Sequence, residues 1–458
     1  MNNEIHNWGK DIYSYPAVVV TPRSVHELQQ IMRDTERYPS PVRAVGSNHS
    51  TTHCATAEGG TVVIMTALNR ILEIADDSVT AEGGALYVDV ALALEAEEKQ
   101  FFVNVELGNL TLGSACTGGT KDASMPGEVG QVCSYATRIK MVDPSGELIE
   151  FNEDDPAALQ LARSSYGLFG IVYEVTFRIH PLQGMEVHHE SYELDEFIDR
   201  LPELTRLGES MMLYLFPHED KVAVEYRQYL GIGQTSSRWV WRLRNWVWKN
   251  FAPFFAWFVS KYVPWAGLRY WLVDSLNKLL RLTQSILLHA DRTSPTAQII
   301  RYPEVSGRCA YTFSIWAFPE ATYPAALRGY FAFCKDYYRK YGWRCDMLNV
   351  GYLVAADQGS LFSYSYDGDV LTLDPVASGD HGWDEFLRAY NVYCSEMGGI
   401  PLFNQTKWIT REQVDRAFGE RAQRFRAALK QYDPGQRMLN TYFRDLLGER
   451  QQPDSYHR

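Results

Sequence analysis

Val45-Gly46-Ser47-Asn48-His49-Ser50 and Leu110-Thr111-Leu112-Gly113-Ser114-Ala115-Cys116-Thr117-Gly118-Gly119-Thr120 are the two stretches on which the reading of this chain turns. The first follows a strand-like run, Val42 to Val45, and the second is almost wholly small residues. Small side chains leave backbone N–H groups open to a ligand, so such turns can hold a diphosphate without a cation. The same composition also makes ordinary tight turns. Neither stretch has the Gly-x-Gly-x-x-Gly of a dinucleotide-binding helix or the lysine of a phosphate-binding loop, so nicotinamide or ATP binding has little support.

Working outward, residues 1–185 mix strands and helices. Ser24 and Glu27 have capping-box spacing and predict a helix to about Arg37. Asp143-Pro144-Ser145-Gly146 predicts a hairpin between Arg138–Val142 and Leu148–Phe151. Residues 186–425 read as a second domain. Its predicted strands are Met211–Phe216, Val222–Tyr229, Tyr311–Ala317, Met347–Val354 and Ser360–Tyr366, and its helices Tyr323–Tyr341 and Trp383–Met397. The expected fold is α+β, with an antiparallel sheet under covering helices in the second domain. Residues 426–458 form a C-terminal segment returning to the first domain.

At 458 residues the chain is too long for one core. Its net charge of -12 argues against a nucleic-acid partner, because phosphate contacts need a basic surface. The seven Cys form no Cys-x-x-Cys pair, so no metal site is expected, and they read as reduced thiols of a cytoplasmic protein. The N-terminus lacks an apolar signal-peptide core, and no apolar run is long enough to span a bilayer. One segment breaks the acidic trend. Between Arg238 and Arg281 stand eight Lys/Arg against one acid, Asp274, together with seven of the twelve Trp. That segment lies on a membrane surface as a peripheral contact, forms an apolar lid, or packs internally as a helical pair.

Taken together, Pro22-Arg23-Ser24-Val25-His26-Glu27-Leu28, the two turns, Gly167-Leu168-Phe169-Gly170-Ile171-Val172-Tyr173-Glu174 and Tyr432-Asp433-Pro434-Gly435-Gln436-Arg437 resemble the vanillyl-alcohol-oxidase class of PCMH-type FAD-linked oxidoreductases. Within it the likeness is to the sugar-1,4-lactone oxidases, gulonolactone and arabinonolactone oxidase, and it spans nearly the whole chain. The resemblance implies FAD, attached covalently through His49, with Asn48 where relatives have glycine. It implies that Gly46, Ser47, Asn48, His49 and Ser50, with Gly113, Ser114, Thr117, Gly118, Gly119 and Thr120, hold the diphosphate. Gly170, Ile171 and Val172 would flank the adenine. A second link is not implied, because Asn109 stands where some relatives carry Cys. Lys407, after Gly398-Gly399-Ile400-Pro401, would place a cation beside flavin N1 and C2=O, where charge develops on reduction.

The same comparison fails at one place. Relatives carry a Glu and an Arg two residues apart on a substrate-domain strand, and here those positions read Asn349 and Gly351. Lys121 also replaces a relative's His. Aromatic residues on the expected pocket strands (Tyr352, Phe362, Tyr364, Tyr366, Phe403) point to a small substrate less polar than a sugar, or simply form a sheet core. Tyr352 and Tyr364 are the catalytic-base candidates. The main expectation is hydride removal from a CH–OH or CH–NH carbon, with O2 as one acceptor. The competing readings are a C=C reductase, a dehydrogenase or epimerase component acting on a lipid-linked sugar, and a catalytically inactive flavin-fold binding protein.

Overall fold

A computed structural model describes residues 3–231, 239–288, 291–303, 308, 310–379 and 381–448. Arg238, Cys309 and the polar tail beyond Gly448 lie outside the described residues. Three sheets carry the architecture. The first is a parallel sheet of three strands in the order Val18–Val20, Thr61–Ile64, Val42–Val45. The second is antiparallel, with Ile171–Pro181 at its centre between Ala136–Val142 and Ser78–Glu82. The hairpin of Ala136–Val142 with Leu148–Asn152 forms as its turn residues predict. The helix Val25–Arg33 starts at Ser24, whose hydroxyl accepts from the Glu27 N–H.

The third sheet has eight strands, all antiparallel. Its centre runs Gly184–Glu193, Lys221–Gly231, Ser210–Phe216, Asn349–Val354, Val370–Leu373, Trp316–Pro319. Helices Leu194–Leu204, Tyr323–Tyr341 and Trp383–Glu396 bury their apolar stripes toward this sheet. Two strand expectations are corrected. Tyr311–Ala317 splits into Thr312–Phe313 and Trp316–Pro319, and residues 360–366 form turns rather than a strand. In the latter stretch the Ser363 and Ser365 hydroxyl oxygens accept from the Gln131 amide at 2.7 and 3.0 Å, which holds the chain in a compact loop instead of a ladder.

The C-terminal helices pack on the first two sheets. Phe425 stacks on Phe169 with ring centroids 5.3 Å apart, and the Arg437 carbonyl accepts from the Val42 N–H at 2.8 Å. One continuous apolar core joins residues of both halves of the chain.

Candidate active site

The turn Gly46–Ser50 emerges from the end of Val42–Val45, at the edge of a cavity enclosing about 280 Å³. Gly46 has no room for a side chain: a Cβ there would lie 2.4 Å from the Thr111 side chain. The two glycine stretches are therefore pressed together, and the Ser47 hydroxyl ties them by donating to the Asn109 carbonyl at 2.6 Å. Asn48 adopts a φ of 54, a conformation that Asn tolerates better than most residues. Its carbonyl accepts from the Trp8 N–H at 2.7 Å and its amide donates to the His6 carbonyl at 2.8 Å, which hold the turn in place.

Among the described residues, the backbone N–H groups of Ser47, Asn48, His49, Ser50, Thr117 and Gly118 donate to no acceptor. Such a set of open donors around a cavity fits a diphosphate. Gly113, Ser114, Thr117, Gly118 and Thr120 line the same cavity, as do Gly170 and Val172. Gly119 and Ile171 do not. Gly119 sits against Tyr166 and Leu402, and Ile171 alternates away into the core.

His49 lines the cavity, with its ring stacked on Trp8 at 5.0 Å between centroids. Its Nε2 is buried without a hydrogen-bond partner among the described residues, and burial pushes the ring pKa down to about 4. The ring is thus neutral near pH 7, with an unused polar atom. That orphaned nitrogen, beside open donors, fits an FAD whose flavin end reaches His49.

Lys407 is not brought to the cavity. Its Nζ is 2.9 Å from Asp384 Oδ1 and 3.3 Å from Asp11 Oδ2, and its side chain is 5% exposed. Two carboxylates on one buried ammonium satisfy its charge within the protein. Tyr364 is likewise a core residue away from the cavity lining, with its hydroxyl buried and unpartnered among the described residues. Tyr352 does line the cavity.

Sheet register explains the failed Glu/Arg comparison. Asn349 and Gly351 pair with Leu215 and Leu213, whose side chains belong to the helix-covered core. The Asn349 amide donates to the Tyr330 hydroxyl on the covering helix at 3.0 Å. Val350 and Tyr352 pair with Tyr214 and Met212 on the other face, and these four line the cavity. Positions 349 and 351 therefore say nothing about the polarity of the cavity.

Charge reaches the cavity from other elements. Lys121 Nζ donates to Asp374 Oδ2 at 3.0 Å and lies 3.7 Å from the Tyr352 ring centroid. The two side chains are 3% and 2% exposed. Burial lowers the Lys121 pKa and raises that of Asp374, and each partner opposes the shift of the other. Both groups are thus moved toward their neutral forms. The Thr372 hydroxyl also favours the Asp374 carboxylate, yet Oδ1 itself has no hydrogen-bond partner among the described residues.

A second pair, Arg244 with Glu106 at 2.9 Å, lines another wall. Behind it Arg227 bridges Asp122 and Glu225 at 3.2 and 2.7 Å. Burial alone would raise the Glu225 pKa, but Arg227 and His189 hold it well below the usual carboxylate range. Asp374, Glu106 and Arg244 were missed as site residues from sequence. A lone acid ending the apolar run Val370-Leu371-Thr372-Leu373-Asp374 was the available signal.

A family profile described as FAD binding domain matches residues 16–152, the part of the chain that holds both glycine turns. Over nearly the whole chain, L-gulonolactone oxidase of Bos taurus is 22% identical, covering 97% of this chain and 98% of that one. An FAD-binding domain occupies residues 16–152, and the chain is an FAD-dependent oxidoreductase. This oxidoreductase is also similar to L-gulono-1,4-lactone dehydrogenase of Mycobacterium tuberculosis, 24% identical over 96% of this chain and 98% of the relative. In fold it matches cholesterol oxidase from Brevibacterium sterolicum with a TM-score of 0.76 at 14% identity, covering 98% of this chain and 97% of that one. The cavity of the oxidoreductase therefore joins an FAD-binding half to a wall from the antiparallel sheet, the arrangement its α+β sequence pattern predicts.

Proposed function

We propose that the protein oxidises a hydroxyl-bearing carbon of a small, largely apolar molecule, with FAD carried covalently on His49 and Asp374 acting as the base. The observation that carries this reading is the continuity of one cavity. It runs from the glycine turns to the Lys121–Asp374 pair along a wall that includes Met212, Phe313, Ile315 and Val350. Bound FAD supplies the hydride acceptor. Asp374 Oδ1, without a partner among the described residues, accepts the substrate hydroxyl proton as the hydride leaves. Lys121 holds Oδ2, orients the carboxylate and opposes the rise in its pKa that burial causes. The Tyr352 ring covers the Lys121 ammonium and turns an apolar surface to the substrate.

His49 suits its role because burial keeps a ring nitrogen unprotonated and unoccupied. The test has two arms. Acid precipitation of the purified protein leaves the yellow colour in the pellet if the flavin is covalent; a yellow supernatant refutes the link. Flavin bleaching under anaerobic conditions is then followed with apolar primary and secondary alcohols and with sugar lactones. Faster bleaching by lactones than by every apolar alcohol refutes the substrate reading. Peroxide formed in air on adding the substrate identifies O2 as acceptor.

A further inference from the structure

Exposed apolar bulk is concentrated on one helical segment. Of the 21 large hydrophobic side chains exposed among the described residues, 13 lie between Trp239 and Ile286. They include Trp265 at 70%, Trp271 at 62% and Trp239 at 54% exposure. The segment folds as helices Trp239–Trp246, Ala252–Tyr262 and Ala266–Leu287, with a π turn, Val247–Phe251, between the first two. Its inner side is anchored: Trp241 joins a small core with Met185 and Val187, and Arg344 donates to Asp274 at 2.6 Å. Its outer side is uncovered among the described residues.

The charge on this segment is opposite to that of the molecule. Residues 239–287 hold seven Lys/Arg and one acid, Asp274, in a chain of net charge -12. Arg244 is turned inward to Glu106, but Arg242, Lys261 and Lys278 are exposed and Asp274 is paired with Arg344, so the outer face is basic as well as aromatic. Trp and Tyr favour the boundary between headgroups and acyl chains, and Lys/Arg attract anionic lipid. A second copy meeting this face symmetrically would bring like charges together. No described helix is long and apolar enough to cross a membrane, which leaves a helix pair lying in the plane of the surface.

We infer that the helical face from Trp239 to Ile286 docks on a bilayer bearing anionic headgroups. The same first helix and π turn supply Arg244 and Trp248 to the cavity wall. The docked bilayer therefore lies against the outside of the wall that Arg244 and Trp248 complete. A π turn is a frequent device for re-aiming side chains at functional sites. Here Trp248 is turned inward, stacked parallel to Tyr214 at 6.5 Å, while Trp246 and Phe251 on either side stay exposed.

The test uses the full-length flavin-loaded protein. Vesicles of phosphatidylcholine alone are compared with vesicles carrying about 30 mol% phosphatidylserine. The protein is expected to sediment with the anionic vesicles, to be released by salt, and to remain in the supernatant with the neutral ones. Combined substitution Trp239→Ser, Trp265→Ser and Trp271→Ser is expected to weaken binding at least about tenfold with Tm and flavin absorption unchanged. Lys261→Glu with Lys278→Glu is expected to abolish the preference for anionic lipid. Absence of sedimentation, or sedimentation unaffected by both sets of changes, overturns the inference. So does a lipid-free dimer in sedimentation velocity that the Trp substitutions dissolve, since that assigns the face to a second copy. None of these readouts depends on the substrate, so they stand apart from the oxidation reading.

Discussion

Burial holds the His49 ring neutral and leaves its Nε2 without a partner among the described residues, so the residue has a capacity for bonding that they do not use. His49→Ala is expected to release all the flavin into the supernatant on acid precipitation, while FAD still binds through the backbone donors of the two turns. Turnover should fall by about tenfold to a thousandfold, because the attachment tunes the cofactor rather than performing the reaction. Asp374→Asn tests the proposed base directly. Stopped-flow reduction is expected to slow by about 10²- to 10⁴-fold with the flavin spectrum retained, the usual cost of losing a general base. Lys121→Met leaves the Asp374 carboxyl buried without its cation, so its pKa rises further. The acid limb of the pH–rate profile should move to higher pH; an unchanged limb would separate Lys121 from the base.

At the scale of the element, the strand Asn349–Val354 shows how a period of two decides what a site contains. Neighbouring positions point to opposite faces, so the resemblance that singled out Asn349 and Gly351 singled out the face packed on the covering helix. The cavity-facing residues are Val350 and Tyr352. Gly351 is itself constrained, because a Cβ there would sit 2.4 Å from the Thr372 carbonyl oxygen. That oxygen belongs to a strand backbone and cannot swing aside. Gly351→Val is expected to lower stability by about 1–3 kcal/mol, or to displace the neighbouring strand, read as a lower urea midpoint at constant m-value. Val350→Ala on the opposite face should instead widen the cavity and change substrate preference with a smaller loss of stability.

Across the whole molecule, the C-terminal segment closes the FAD-binding half. Asn440 donates to the carbonyls of His53, Cys54 and Thr56, and Arg43 donates to those of Cys54, Tyr166 and Met438. Residues near the two ends of the chain thus share one buried hydrogen-bond set beside the cavity. The pH dependence of stability is also a property of the whole. His49 and His218 have pKa values pushed down to about 4 and about 3, mainly by burial, and those of His53 and His180 are lowered too. The unfolded chain takes up protons on these rings near pH 6.5 while the folded chain does not. Stability is therefore full above that pH and declines as pH falls below it, each ring contributing until its folded pKa is reached. His218→Phe should flatten the fall of unfolding free energy between pH 6 and pH 4 by up to about 1.4 kcal/mol per pH unit. A slope equal to that of the parent would show that His218 is not held neutral.

The glycine turns, the capping box at Ser24, the hairpin at Asp143–Gly146 and the alternation of strands and helices are local patterns. They follow from backbone freedom, side-chain size and hydrophobic period, so the linear chain by itself determined the α+β fold and the FAD-binding half. The aromatic and basic character of residues 239–281 was equally legible, because composition does not depend on contacts. Which charges enter the cavity was decided only by the tertiary structure. Lys121 and Asp374 are 253 residues apart, and Glu106 and Arg244 come from different halves of the molecule. Their pairing depends on strand register and on the packing of one half against the other. Lys407 shows the converse: the sequence placed it after a suggestive turn, but the fold turned its ammonium to Asp11 and Asp384. A buried charge goes where its partners are, and partners distant in sequence are brought together only when the chain has folded.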